Sequence, residues 1–373
     1  MLDTPVIVMV IGFAAPMFTA LFCCLIIVLY YHQGKEKMHK KLSSILIFSY
    51  LAYVVCWLSM QFYILLPSVF AYIQSFAYFS MLLTQVLMYR FAFILTDINK
   101  VRKFPVIHYL IPAVITGSLF VWSFFVPSEV QLYIIDSRGE TCQGYEAYTA
   151  LFTSKMPMFF IYNLFYSFLA LKRIYAYSKV IEDYSADEGR SSVKWLYMLF
   201  VVSLIALPLP LISILFGKAV LTGSAITLLP VLLTIFQYII ICYNMVAGNY
   251  VIIYPPGKEE TNDSTSGNTT ASKIDKEHFR CYIKQTKPYL NPALRITDMT
   301  RDLCTNRTYL SAFINQEYGV NFSRYINRCR LKELEYLRAD TSLSHINHME
   351  LVQKAGFSSY RGYIRAKRAE EKD

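Results

Sequence analysis

Seven long apolar runs constrain this chain more than any other feature of its sequence. A helix that crosses a hydrocarbon core about 30 Å thick needs about 20 mostly apolar residues, because no water there can satisfy its backbone groups. Seven stretches meet that length: Pro5 to Tyr31, Leu42 to Leu66, Val69 to Leu95, Val106 to Val126, Tyr148 to Leu171, Trp195 to Phe216 and Ala225 to Ala247. Only Arg90 and Lys155 carry a formal charge inside them. The sequence therefore predicts a bundle of seven transmembrane helices.

Lysine and arginine in the loops set the expected orientation, since short loops rich in them favour the cytoplasmic side. The first, third and fifth loops hold 12 of these residues, whereas the even-numbered loops hold only Arg138 and Lys218. We therefore expect the N-terminus outside and the part after the seventh run in the cytoplasm. Asp3 stands where a signal peptide has basic residues, so the first run is predicted to be an anchor. The expected location is the cytoplasmic (inner) membrane, as a multi-pass protein.

Several polar residues inside the apolar runs have two alternative roles. Lys155, near the outer end of the fifth run, either lies at the membrane interface or contacts an anionic ligand. Arg90 is expected to extend toward the interface. Glutamine and asparagine side chains in these runs either hydrogen-bond between helices or line a ligand pocket. Pro208 and Pro210 are expected to bend the sixth helix.

The composition changes sharply after the seventh run. Residues 251–275 are rich in Gly, Ser, Thr, Asn and Pro and are predicted to be a flexible linker spanning roughly 28 Å. From Lys276 to Asp373 the chain has 18 basic and 11 acidic side chains, so this segment supplies most of the net charge of +10. We therefore divide the chain into a transmembrane domain over 1–250, the linker, and a basic domain over 276–373.

The sequence contains no motif of a known catalytic or cofactor-binding site. It lacks a phosphate-binding glycine-rich loop, an HExxH zinc motif and a GxSxG nucleophile motif. His345 and His348 are not accompanied by the Cys, Asp or Glu pattern of a metal site. We expect no enzymatic activity, no cofactor and no metal. Because there is no CxxC pair, the cysteines of the basic part indicate a reducing compartment.

The basic part has the pattern of short helices joined by tight turns. In the first pair of helices, Asn306 or Thr305 can cap the second helix, and Gly319 can end it. A longer basic helix is predicted over residues 322–337. A second pair of helices around a turn fills residues 349–368. The helix-turn-helix pattern therefore occurs twice.

This part resembles the AraC-type DNA-binding domain of bacterial transcription regulators over roughly the last hundred residues. The matching positions are Tyr309-Leu310-Ser311, Gly319, Phe322, Tyr325-Ile326, Arg330-Leu331 and Gly356-Phe357-Ser358. The resemblance implies two helix-turn-helix units joined by the long helix. It also implies that the two recognition helices enter successive major grooves on one face of DNA.

The resemblance further implies which residues face the bases. They are Thr308, Ser311 and Ala312 on the first recognition helix, and Tyr360, Arg361, Ile364 and Arg365 on the second. Ala312 can offer only an apolar contact, for example to a thymine methyl. Lys367 stands where the family pattern has an aromatic core residue, so the second unit is expected to pack less firmly.

Together these observations predict an all-α protein: a seven-helix transmembrane bundle followed by a small all-α domain with two helix-turn-helix units. The expected function is that of a membrane-tethered, sequence-specific DNA-binding transcription regulator, with double-stranded DNA and the lipid bilayer as partners. An unknown small-molecule or protein stimulus would change how a homodimer presents its two DNA-binding domains. The alternative is a small-molecule transporter or receptor whose basic cytoplasmic tail binds a protein or lipid. A salt-sensitive, sequence-selective DNA complex separates the two.

Overall fold

The computed structural model describes residues 4–33, 37–97, 103–137, 139–182, 193–206, 225–250, 275–343 and 345–371. Within these ranges it describes only the main chain of residues 4–9, 206, 225–228 and 307–308. The described part contains fourteen α-helices and no β-strand, which confirms the all-α class. Pro208, Pro210 and all of the predicted linker except Asp275 lie outside the described residues.

The chain divides into two compact units. The first unit contains the helices up to residue 174 and those over residues 194–247. The second contains the end of the sixth helix, from Tyr175, and the helices after residue 275. The two units are described separately.

Eight helices belong wholly or mainly to the first unit. They are α1 (Thr4–Gln33), α2 (Lys37–Leu65), α3 (Pro67–Leu95), α4 (Ile107–Ser123), α5 (Ser128–Asp136), α6 (Glu146–Glu182), α7 (Lys194–Ala206) and α8 (Ala225–Val246). Helix α3 is central, since it packs against α2, α4 and α5 and buries most of its side chains. Helix α1 packs between α2 and α8, and α8 also contacts α7.

Four of these helices are long and apolar enough to cross a membrane: α1, α2, α3 and α8. Helices α4 and α5 meet the same test only as a pair, and the chain bends by 118° between them, so they give a fifth span if counted together. Helix α6 falls outside this set because Lys155 and Asn163 lower the hydropathy of its apolar run. Within the sixth predicted run, the structure describes only α7, a shorter apolar helix.

Large apolar side chains cover the outside of the first unit. On α6, Ile161, Leu164, Phe165 and Phe168 are all exposed, at the three- and four-residue spacing of one helical face. A soluble protein rarely exposes so large an apolar surface. The surface and the four apolar helices both indicate a membrane protein.

Polar side chains inside the first unit mostly join one helix to another. The Gln61 Nε2 atom donates to the Val10 carbonyl oxygen on α1 at 2.8 Å, and the Gln237 Nε2 atom donates to the Leu199 carbonyl oxygen on α7 at 2.9 Å. The Arg90 Nη1 atom donates to the Tyr109 hydroxyl on α4 at 2.8 Å. Gln61 and Gln237 therefore have the interhelical role that was one of their two alternatives, and Arg90, expected to extend toward the interface, also joins two helices.

The second unit continues with six helices after residue 275. They are α9 (Lys276–Thr286), α10 (Ile296–Asp302), α11 (Arg307–Tyr318), α12 (Phe322–Ala339), α13 (His348–Lys354) and α14 (Tyr360–Glu370), with 3₁₀ turns at Pro288–Leu290 and Thr341–Leu343. The observed α12 is two residues longer than the helix predicted over 322–337. It packs against α11, α13 and α14, and so connects the two halves of this part.

Each half has its own core. In the first half, Phe279 of α9 lies among aromatic rings from α11 and α12, with ring centroids 5.1 Å from Phe313 and 5.6 Å from Tyr325. In the second half, the buried cluster consists of Leu334, Leu351, Val352, Ala355, Phe357, Tyr363 and Ala366. Because α12 contributes to both cores, it fixes the two halves relative to each other.

Candidate nucleic-acid interface

The first pair of short helices consists of α10 and α11, joined by residues 303–306. The Asn306 Oδ1 atom accepts a hydrogen bond from the Tyr309 backbone N–H at 3.0 Å, so Asn306 caps α11 and Thr305 does not. Gly319 ends α11 with a φ of 68°, as predicted. Cys304, the second residue after α10, has a φ of 46°, in the left-handed region that favours glycine.

The second pair consists of α13 and α14, joined by residues 355–359. Ser359 caps α14, because its Oγ atom accepts from the Gly362 backbone N–H at 3.2 Å. Gly356 is the second residue after α13 and has a φ of 93°. A Cβ atom there would overlap the Tyr289 carbonyl oxygen and lie 2.8 Å from the Leu290 Cα atom, so no other residue fits. Cys304 and Gly356 thus hold the same position in two similar turns.

The predicted base-facing residues of the first recognition helix lie near the start of α11. Ala312 is exposed and Ser311 is partly buried, while the side chain of Thr308 lies outside the described residues. Tyr309 matches the family pattern but is not among the predicted base-facing residues. Its side chain is nevertheless 59% exposed. Tyr309 is the third residue of a capped helix and is next to the buried Leu310. This position indicates that its side chain faces outward.

The predicted residues of the second recognition helix lie along one side of α14. Tyr360 is 40% exposed and Arg361 is exposed, so both are open to a partner. Arg365 is partly buried. Ile364 packs against the second core cluster, so only part of its side chain can reach DNA. The first turn of α14 is therefore the most accessible part of the set.

The arginines of α12 are engaged within the unit. The Arg330 side chain is only 1% exposed, and its Nε and Nη2 atoms donate to the Tyr289 and Asn291 carbonyl oxygens, both at 2.8 Å. Arg328 pairs with Glu370 of α14 at 2.6 Å, and the Arg324 Nη2 atom donates to the Ala369 carbonyl oxygen at 2.9 Å. These three charges stabilise the fold.

The spacing of the apolar residues along α12 indicates that Arg330 is buried. Phe322, Ile326 and Leu334 are buried and lie four residues apart or at multiples of four, and Arg330 falls in the same series. A basic residue in an apolar stripe indicates an internal contact. From the sequence, Arg330 was a matching position of the family pattern within a basic helix, and its burial was not predicted.

Lys367 is on the surface of α14. Its Nζ atom lies 3.7 Å from the Glu371 carboxylate, and its side chain is about half exposed. The inner positions of this helix are filled by Tyr363 and Ala366.

His348 lies beside the start of α14, with its ring centroid 5.8 Å from that of Tyr360. Burial and the nearby cations Arg338 and Lys367 lower the pKa of His348. The lowered pKa favours the neutral imidazole at this surface. Among the described residues, no three His, Cys, Asp or Glu side chains are grouped to hold a metal ion.

Comparison of the chain with protein-family models, with curated protein sequences and with solved structures finds no match.

Proposed function

We propose that this chain is a membrane-tethered, sequence-specific DNA-binding transcription regulator with an AraC-like domain in the cytoplasm. The observation that carries the proposal is the repeat in the second unit: two short helices, each followed by a turn with a positive φ and by a capped helix. The helix after each turn begins with exposed residues, Tyr309 in α11 and Tyr360 and Arg361 in α14. This is the arrangement in which helix-turn-helix proteins present a recognition helix to the major groove.

The distribution of basic side chains supports a reading role for α14. Arg324, Arg328 and Arg330 of α12 are held by partners inside the unit, so α12 serves as a scaffold. On α14, Arg361 and Arg368 are exposed at opposite ends of the helix. An arginine in the first turn of a recognition helix can bind the guanine O6 and N7 atoms, and one in the last turn can neutralise a phosphate.

The proposal includes seven transmembrane helices with the N-terminus outside. The exposed apolar face of α6 supports counting it as a span despite Lys155, and the 12 to 2 distribution of loop lysines and arginines supports the orientation. Helix α7 would be the first part of the sixth span, and α4 with α5 the fourth. A stimulus that changes the bundle, or its association as a homodimer, would then change how two DNA-binding domains meet paired half-sites.

The experiment is selection of bound duplexes from a random pool by the full chain in lipid nanodiscs. We expect an enriched motif with two half-sites and an affinity that falls steeply as salt rises. The Gly356→Ala variant is the matched control, because it should disrupt the turn before α14 while leaving the net charge unchanged. If the chain enriches no motif but binds anionic vesicles, the alternative of a receptor or transporter with a lipid-binding basic tail replaces this proposal.

A further inference from the structure

A polar cluster in the first unit is not used by the proposed DNA binding. It consists of Gln74 on α3, Gln131 on α5, and Tyr148 and Lys155 on α6. The Lys155 Nζ atom donates to the Gln74 Oε1 atom at 2.7 Å. The Gln74 Nε2 atom donates to the Gln131 Oε1 atom at 3.0 Å and to the Tyr148 hydroxyl at 3.2 Å. Side chains from α3, α5 and α6 thus meet at the Gln74 amide, which accepts from the ammonium group.

The ammonium group of Lys155 has no negative partner in this cluster. An ammonium offers three donors, and among the described residues its one acceptor is the neutral Gln74 amide oxygen. The Phe152 ring covers another side, with its centroid 4.3 Å from Nζ. A cation held among apolar groups in a membrane helix is costly unless an anion accompanies it, and such residues commonly mark ligand pathways.

The other members of the cluster are positioned by buried contacts. Gln74 is 3% exposed and Tyr148 is 1% exposed. The Gln131 Nε2 atom donates to the Ser123 and Val126 carbonyl oxygens at 2.8 and 2.9 Å, which fixes α5 across the bend after α4. Lys155 therefore faces a preorganised group of amides and a phenol, instead of extending away from the helices as an interfacial lysine does.

The surroundings of Lys155 limit the chemistry of an anion that could pair with it. One lysine balances one negative charge, which suits a monoanion better than a phosphate. The side chains around the cluster are aromatic and aliphatic, including Phe152, Tyr78 and Trp122, whose ring centroid is 6.2 Å from that of Tyr148. An organic acid with an apolar body matches both features, because its carboxylate can accept from a Lys155 donor that Gln74 leaves unused while its body contacts the rings.

We propose that this cluster is a binding site for an organic monocarboxylate, with Lys155 as the group that pairs with the carboxylate. The site lies near the N-terminal ends of α3 and α6. In the orientation proposed above, these ends face outward, so the ligand would arrive from outside the cell. The inference goes beyond the proposed function and does not require DNA binding.

The test uses the full chain in lipid nanodiscs, with benzoate as the probe and equilibrium dialysis as the measurement. Benzamide is the neutral analogue of the same shape, and chloride and inorganic phosphate are the alternative anions. We expect saturable binding of benzoate and at least tenfold weaker binding of benzamide. The Lys155→Met variant should lose at least tenfold in benzoate affinity, and Lys155→Arg should retain part of it. The matched control is Lys172→Met, which removes an exposed lysine from the same helix and should leave the affinity unchanged.

Three results would overturn the proposal. They are equal binding of benzoate and benzamide, benzoate binding that persists in Lys155→Met, and Lys155-dependent binding of chloride or phosphate in preference to benzoate. If Lys155→Met does not fold, Gln74→Leu provides the second variant, since it removes the amide that positions Lys155. Unchanged benzoate affinity in Gln74→Leu would also contradict the site.

Discussion

At the level of single residues, two positions with a positive φ illustrate the difference between a tolerated and an excluded side chain. Cys304 and Gly356 each follow a short helix by two residues, with φ values of 46° and 93°. At Gly356 the neighbouring backbone of Tyr289 and Leu290 excludes any Cβ atom. At Cys304 a side chain is present, so the left-handed conformation costs about 1–2 kcal/mol.

Replacing Cys304 with glycine should therefore stabilise the first pair of short helices. We expect a gain of about 0.5–1 kcal/mol, because the relief of strain exceeds the extra entropy of glycine in the unfolded chain. Hydrogen exchange of residues 296–318 in the full chain measures it as slower opening. Cys281→Gly is the matched control: this exposed cysteine lies inside α9, so the change should destabilise that helix. Faster exchange in Cys304→Gly would contradict the argument.

Arg361 and Arg368 differ in the role we propose for them on α14. Arg361→Ala should cost about 1–3 kcal/mol of binding to the preferred site and relax selection at one base position. Arg365→Ala should act in the same way to the extent that its partly buried side chain reaches a base. Arg368→Ala, the matched control, should weaken binding to all sequences alike. Competition titrations with single-base variants of the selected site measure the difference.

A different result would assign the reading to the first helix-turn-helix pair, α10 and α11. If Arg361→Ala leaves the site preference unchanged while Thr308→Ala or Ser311→Ala abolishes it, α11 reads the sequence. Helix α14 would then hold only the DNA backbone.

At the level of elements, the local signals were predictable and the long-range contacts were not. The end of α11 at Gly319 and a cap at Asn306 or Thr305 depend on residue type and near neighbours, so both were predictable, and the structure selects Asn306 as the cap. The backbone partners of Arg330 and the pairing of Arg328 with Glu370 depend on where α12 meets segments 39 to 42 residues away. In the first unit, the Gln131 amide bonds to carbonyl oxygens across the break after α4, a contact that residue type alone does not indicate.

The Arg330 side chain should be essential for the position of the Pro288–Leu290 turn. Arg330→Met keeps much of the volume but leaves the Tyr289 and Asn291 carbonyl oxygens without their donor. We expect a loss of about 3 kcal/mol in the unfolding free energy of the second unit. Lys332→Met is the matched control, because it removes an exposed charge from the same helix and should change stability by at most about 0.5 kcal/mol. Urea titration followed by proteolysis of the full chain measures both, and equal effects would refute this role.

At the level of the whole molecule, the described helices provide four or five apolar spans, whereas we propose seven. Reporter fusions test the difference directly. Reporter fusions after residues 37, 100, 185 and 265 should report the cytoplasm, and fusions near residues 140 and 220 should report the outside, because basic residues concentrate in the odd-numbered loops. Paired cytoplasmic and periplasmic reporters at each position provide the control. A cytoplasmic signal at residue 140 would mean that α4 and α5 form a re-entrant hairpin instead of a span.

The ion pairs between α12 and Glu370 have a consequence for how measurements of the proposed DNA binding must be interpreted. The slope of log affinity against log salt is commonly converted into a number of phosphate contacts. Here added salt also screens Arg328 and Arg324 from Glu370, whose side chains are about one-third exposed, and so loosens the end of α14 from its scaffold. Part of the slope therefore reflects the loosening of α14 within the protein. A number of phosphate contacts calculated from the whole slope would be too high. Repeating the titration with Glu370→Gln isolates that part.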